Sequence, residues 1–338
     1  MSQLRRLKKA TLTDVAERAG VSVTTASYIL NGRSSQMRIS AATERRVKAA
    51  MHDLDYRPNW SARTLRGSST QTIGVISDFV ASSDFASRLL SGANAAARRY
   101  DHVIVIGETM GNPEVEGLLV EEMADRQVDG VVYTTLAASR VQLPEALRRG
   151  RTVLLNCVDP DIDLPVVVPD DVVGGRLAAE HLLAAGVAHA VFVVGEDPTP
   201  ESTAGRERLQ GINGALTGAG ASLAGTVPCA WDVEPAFEAV SAWLDTRPRP
   251  SALICLNDRV AMGAYQALSE HHLRVPGDIA VISFDGSDLA KWLRPRLTTL
   301  AIPFTAMGGR AVEILMDPGW REAGTTRLPP VRQPGASV

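Results

Sequence analysis

Thirteen lysines and arginines fall within the first 67 residues: Arg5, Arg6, Lys8, Lys9, Arg18, Arg33, Arg38, Arg45, Arg46, Lys48, Arg57, Arg63 and Arg66. Five acids stand against them, Asp14, Glu17, Glu44, Asp53 and Asp55, so the segment carries +8. The whole chain is -3, which leaves -11 on the remaining 271 residues. Cations gathered in this way bind phosphate, and a basic head on an acidic body points to a head that meets a polyanion and a body that does not. Side chains that do covalent or metal chemistry are not arranged for it. Cys157, Cys229 and Cys255 are odd in number and widely spaced, with no metal or redox pattern, and read as reduced thiols in a cytosol. The six histidines have no nucleophile or carboxylate constellation around them in the sequence, and no phosphate-binding loop occurs. The expectation is no enzyme, no cofactor and no metal.

The elements around the basic residues say how a polyanion would be met. Thr11 followed by Asp14 starts a helix as a capping box, with Leu12, Val15, Ala16 and Ala19 on one face. Gly20 stops it, and Ser22 caps a second helix that runs to about Asn31-Gly32. Val21, Ala26, Ile29 and Leu30 turn inward, leaving Ser22, Val23, Thr24, Ser27 and Tyr28 outside. A third helix, roughly 41–54, carries its apolar stripe at Val47, Ala50, Met51 and Leu54. Two short helices joined by a glycine turn make a helix-turn-helix, the arrangement that presents one helix to the major groove of DNA. Pro58 then ends the bundle, and Asn59 caps a short stretch through Gly67 in which Trp60 and Leu65 sit beside two arginines. Ser68 to Gln71 is linker-like.

From Ile73 onward, short apolar runs alternate with helical patterns. Strands are expected at 73–77, 103–107, 130–134, 153–156, 190–195, 253–256 and 279–284. Helices are expected at 85–99, 114–127, 173–185, 205–216, 234–245 and 260–270. Repeated strand–helix units predict a parallel α/β sheet, and about 265 residues suit two lobes better than one. Ligands of such sheets bind at the carboxyl ends of the strands. Asn156 ends one expected strand, Asp258 follows another, and Arg208 opens a helical stretch.

Residues 11–67 resemble the headpiece of the lac repressor family of bacterial transcription regulators. The match runs through Asp14-Val15-Ala16, Ala19-Gly20-Val21-Ser22, Arg57-Pro58-Asn59 and Ala62-Arg63-Thr64-Leu65. The resemblance implies a headpiece over 1–58 and a hinge helix with its linker over 59–70. The hinge would fold on DNA, pair with its twin in a second subunit and enter the minor groove, with Leu65 as an apolar wedge. It also implies a near-palindromic operator with a central CpG step. The DNA-contact candidates are Thr11, Ser22, Val23, Thr24, Ser27, Tyr28, Asn31, Arg33, Asn59, Ala62, Arg63 and Leu65. Many members carry arginine where this chain has Tyr28; tyrosine cannot make a bidentate contact to guanine, so the half-site is expected to differ.

The body, 71–338, resembles the family's periplasmic-binding-protein-like effector domain. It matches at Ile73-Gly74-Val75, Asp170-Asp171, Arg208 to Gly211, Leu256-Asn257-Asp258 and Ile279 to Asp285. The implied lobes are about 71–169 with 301–338, and about 170–300. The effector-contact candidates are Asp78, Phe85, Asn156, Arg208, Trp231, Asp258 and Asp285; the resemblance implies Arg208 and Asp258 as the ligand clamp, and Trp231 could stack on a sugar ring or nucleobase. Asn156 stands where relatives often have aspartate, and Ser82 to Phe85 departs from the usual Asn-Pro-Phe. The partners expected are double-stranded operator DNA, a sugar-like or nucleoside-like effector and a second copy of the chain, in the cytoplasm of a bacterium and without a membrane. A solute-binding transport protein and an architectural DNA-binding protein whose body only dimerises are the competing readings. The tail after Trp320 is rich in proline and glycine and has no heptads, which favours a dimer.

Overall fold

The computed structural model describes residues 10–30, 32–56, 69–79, 86–196 and 202–338. They fall into two compact units, one up to Thr70 and one from Gln71. In the first, α1 (Leu12–Ala19), α2 (Val23–Leu30) and α3 (Ala41–Asp53) surround a core of Val15, Ala16, Ala19, Ala26, Ile29, Val47 and Ala50. The local chemistry sets the ends. The Thr11 backbone N–H donates to Asp14 Oδ2 at 2.7 Å and the Asp14 N–H donates to Thr11 Oγ1 at 3.3 Å, closing the capping box. Gly20 stops α1 in the left-handed region at φ 64°.

In the second unit two sheets each take helices on both faces. Lobe 1 comprises β1 (Thr72–Ser77), α4 (Ala86–Arg99), β2 (Val103–Glu108), α5 (Pro113–Asp125), β3 (Gly130–Arg140), α6 (Glu145–Arg149), β4 (Thr152–Val158) and β5 (Val166–Pro169). Lobe 2 comprises α7 (Asp171–Ala184), β6 (Val191–Glu196), α8 (Ala204–Gly218), β7 (Gly225–Pro228), α9 (Val233–Thr246), β8 (Ala252–Cys255), α10 (Asp258–Glu270), β9 (Ala280–Phe284), α11 (Asp288–Trp292) and β10 (Thr298–Ala301). The chain then returns to lobe 1 with α12 (Phe304–Met316) and β11 (Thr325–Leu328), and ends with β12 (Val331–Gln333). The strand orders are β11-β5-β4-β3-β1-β2 and β12-β10-β9-β8-β6-β7, all neighbours parallel except β10 and β12.

Strands buried on both faces explain the continuous apolar runs. Ile73 and Val75 of β1 pack under α4 and α12, whereas Ile76 faces Val120 and Met123 of α5. Helix pairs pack closely where glycine replaces a side chain. A Cβ on Gly92 would lie 1.8 Å from the Thr305 carbonyl oxygen, and one on Gly175 would lie 2.0 Å from that of Arg208.

The fold is a helix-turn-helix head followed in the chain by a two-lobed α/β body, and three details differ from what the sequence predicts. β5, β7, β10, β11 and β12 are short, three or four residues each, below the length at which alternation can be seen. The tail does not stay in lobe 1 as expected for 301–338. β12 pairs with β10, and Ser337 Oγ donates to the Val281 carbonyl at 2.6 Å and accepts from Thr298 N–H at 2.8 Å, so the last residues complete lobe 2. His102 is not without a carboxylate: its ring spans the Tyr100 carbonyl at 2.6 Å and Asp129 Oδ2 at 3.0 Å, a buried tie at the edge of lobe 1.

Candidate functional site

The outer face of α2 is where the head offers side chains. Val23 and Thr24 are exposed and Ser27 and Tyr28 half-buried; Thr24, Ser27 and Tyr28 share one helical face by their spacing. Thr11 and Ser22 are occupied as caps, Ser22 Oγ accepting from Thr25 N–H at 3.1 Å. Arg33 is exposed just beyond the helix. Asn31, Asn59, Ala62, Arg63 and Leu65 lie outside the described residues, as does Phe85 of the body.

Between the lobes lies a cavity of about 160 Å³. Asn156, Arg208, Trp231 and Asp285 line it together, joined by Leu136, Asn257, Arg259 and Phe304. Each polar group is set by its element. Asn156 sits within β4 at φ 60°, where the β3–β4 register shifts. Asparagine tolerates that left-handed backbone, and its Nδ2 donates to the Thr135 and Leu136 carbonyls at 3.0 Å each. The amide nitrogen is thus committed to the bulge, leaving the side-chain oxygen for the cavity. Asn257 caps α10, accepting from Val260 N–H at 2.7 Å and donating to the Trp231 carbonyl at 3.2 Å. Trp231 donates its indole N–H to the Gly195 carbonyl, which fixes the ring as a wall.

Arg208, on the second turn of α8, is only 4 % exposed. Its Nε donates to Asp171 Oδ1 at 2.7 Å, Nη1 donates to the Leu256 carbonyl, and its head lies 4.5 Å from the Phe284 ring centroid and 5.3 Å from that of Trp231. Arginine suits this setting because its planar head can fork and stack at once. Burial raises the Asp171 carboxyl and the neighbouring Arg208 charge opposes the rise.

Two of the expected effector contacts are placed otherwise. Asp258, expected to face Arg208 across the ligand, accepts instead from Ser287 N–H and Oγ at 2.7 Å each, from Thr299 Oγ1 at 2.8 Å and from Ser283 Oγ. Asp258 lines the adjoining cavity of about 720 Å³ rather than the inner one, and Arg208 finds its counter-ion in Asp171. Asp78 Oδ1 accepts from Phe79 N–H at 2.6 Å and Leu136 N–H at 2.9 Å, which pins the end of β3; it does not line the cavity. Asp171, Asn257, Arg259 and Phe304 escaped the sequence reading. The first two stand inside the motifs Asp170-Asp171 and Leu256-Asn257-Asp258, which carry the signal for them.

Two family models match the chain: "Bacterial regulatory proteins, lacI family" over residues 11–59 and "Periplasmic binding protein-like domain" over 179–337. The HTH-type transcriptional repressor PurR of Photobacterium profundum is 30% identical over 313 residues, covering 91% of each chain. The ribose operon repressor of Escherichia coli K12 is 31% identical over 313 residues, covering 91% of this chain and 92% of its own. The chain belongs to the lacI family. The lac repressor dimer bound to operator and the anti-inducer ONPF superposes with a TM-score of 0.84 at 27% identity, over 98% of this chain and 99% of that one. As a lacI-family member the protein is a DNA-binding, small-molecule-responsive transcriptional regulator rather than an enzyme. The headpiece match also sets it apart from a solute-binding transport protein. No helix among the described residues is long and apolar enough to cross a membrane.

Asp285 gives this lacI-family body a pH signature. Burial and then the nearby Asp258 charge push its carboxyl up from 3.8 to about 7, against the pull of Arg208 and Arg88. The folded chain therefore holds a proton that the unfolded chain releases between those two values. Stability is highest below about pH 4 for this group and falls as pH rises towards 7, by up to about 4 kcal/mol at 1.36 kcal/mol per unit. Asp285→Asn is expected to flatten that fall in melting temperature between pH 5 and 7 relative to the parent. Superimposable profiles would show that the carboxylate is ionised throughout.

Proposed function

We propose that this regulator is a repressor that binds a near-palindromic operator as a homodimer and takes a compact sugar or sugar derivative in the interlobe cavity. The observation that carries the effector class is the pairing of a fixed indole wall, Trp231, with Asn156, Arg208 and Asp285 around one small space. Aromatic faces suit the C–H face of a sugar ring, and fixed donors and acceptors suit its hydroxyls. The inner cavity, below the ~300 Å³ at which drug-sized pockets begin, has room for one ring, and it adjoins a cavity of about 720 Å³ that shares Asp285 and Arg259 with it. A purine base or nucleoside is the second reading: the same wall stacks a purine, and the PurR relative is as similar as the ribose repressor.

On the head, the exposed face of α2 would read the major groove, with Thr24, Ser27 and Tyr28 nearest the bases and Arg33 on phosphate. The hinge role of Asn59, Ala62, Arg63 and the Leu65 wedge rests on the family resemblance. Dimer formation is supported by lobe 1, whose sheet ends at β2 and leaves Val103 and Ile106 exposed on that edge strand.

A melting-temperature screen tests the effector class. A monosaccharide at 100 times its Kd stabilises the folded state by ~2.7 kcal/mol, or roughly 5–10 °C for a body of this size. If purine bases shift the melting and no sugar does, the second reading replaces the first.

A further inference from the structure

Arg88, on the first turn of α4, reaches out of lobe 1 and donates to two backbone carbonyls of lobe 2. Nη1 lies 3.0 Å from the Gly286 oxygen and Nη2 3.4 Å from the Asp285 oxygen. The guanidinium carbon stands 5.6 Å from the ring centroid of Phe304, so the aliphatic stem runs beside an aromatic wall of the cavity. The accepting turn is rigid. Asp285 and Gly286 hold φ of 102° and 63°. Their N–H groups donate to the Leu300 carbonyl at 3.0 Å and to Thr299 Oγ1 at 3.1 Å. A Cβ on Gly286 would come 2.4 Å from that of Ala301, so the turn cannot carry a side chain there without moving. The fork of one lobe therefore meets two fixed acceptors on the other.

We propose that Arg88 is the closure latch of the effector cleft, holding the lobes shut by this fork. The lobes also meet where Thr203 N–H and Oγ1 donate to the Ala138 carbonyl at 2.9 and 3.1 Å, and where Arg327 pairs with Glu207 at 2.8 Å. Arg327 lies on β11, next to a connecting segment, where little movement is needed for opening. Arg88 stands on the α4 side, away from that segment, and unlike the Thr203–Ala138 contact it can release without disturbing backbone pairing. It stands in a larger outer cavity of about 720 Å³, which shares Asp285 and Arg259 with the inner one. Asp288, which holds Lys291 at 2.7 Å, adds negative charge near the guanidinium, and Arg259 and Lys291 line the same space. Asp285 thus has two uses: its carboxylate faces the inner cavity and its carbonyl holds the latch. The latch itself depends on lobe geometry alone, whatever ligand the cavity holds.

The test uses the full chain with Cys229→Ser and nitroxides at Glu121→Cys on α5 and Glu270→Cys on α10, both exposed positions. Labelled chains are diluted into unlabelled ones so that each electron–electron distance lies within one chain. Without ligand, the parent is expected to give one narrow distribution. Arg88→Met keeps the stem beside Phe304 but loses both charged hydrogen bonds, and should raise the open-to-closed ratio by about tenfold or more, seen as a second, longer distance. Arg88→Lys, which supplies a single point donor, should fall between. Identical distributions for all three, or a parent already open, would overturn the latch. The melting temperature of Arg88→Met, expected to match the parent, separates opening from loss of fold.

Discussion

Replacing Arg208 by methionine is expected to remove about 3–5 kcal/mol of stability and the whole ligand response. The stability loss follows from burial, since Asp171 is left at 2 % exposure with no counter-ion, and breaking a buried pair from one side costs about that much. The response is lost because the only cation of the inner cavity that stacks on Trp231 and Phe284 among the described residues disappears with it. A double replacement separates the two effects. Arg208→Met with Asp171→Leu removes both buried charges, and such exchanges are often neutral or stabilising. The double variant should therefore melt near the parent yet give no shift with any sugar that stabilises the parent. Recovery of the shift along with the stability would place ligand recognition elsewhere.

Gly175→Ala should destabilise the body by on the order of 3 kcal/mol, the upper end of typical overpacking. The added Cβ would stand 2.0 Å from the carbonyl oxygen and 3.0 Å from the Cα of Arg208, backbone that cannot turn aside as a side chain would. α7 and α8 must separate, and Arg208 moves with α8. The variant should melt several degrees lower and bind the effector more weakly, although Gly175 touches no ligand. A control is Gly214→Ala on the same α8, where a Cβ meets nothing within 4 Å; it should be neutral or slightly stabilising, as helix propensity predicts. Equal melting of the two variants would remove the close-packing argument.

The sequence carried the head further than the body. Thr11, Asp14, Gly20 and Ser22 are local signals, each acting within three or four residues, and local signals can be read without a fold. The long buried strands β1, β4 and β9 were visible as apolar runs, whereas β12 was not: a three-residue strand defined by its partner β10 has no period of its own. The site divides in the same way. Arg208 and Asp285 were named from motif positions, Asn156 from the end of a strand and Trp231 from what an indole can stack on, and the four share a cavity. Pairing was the illegible part. Arg208 and Asp171 stand 37 positions apart, and nothing in either motif says that Asp258 would instead collect Ser283, Ser287 and Thr299 from β9, the following turn and β10. Partner choice among buried charges is decided by helix-to-helix approach, here by Gly175 and Gly211, whose absent side chains let α8 lie against α7.

A ligand in the body can change DNA affinity in the head only through its different affinity for the two states of the body. The direct measurement is the affinity of the full chain for an operator selected from random DNA, titrated with a sugar that raises its melting temperature. The predicted result is a shift in operator affinity of about fivefold or more, the usual scale of such coupling, absent in the Arg208→Met, Asp171→Leu double variant at unchanged ligand-free affinity. A ligand that binds and stabilises the body while leaving operator affinity unchanged would contradict it.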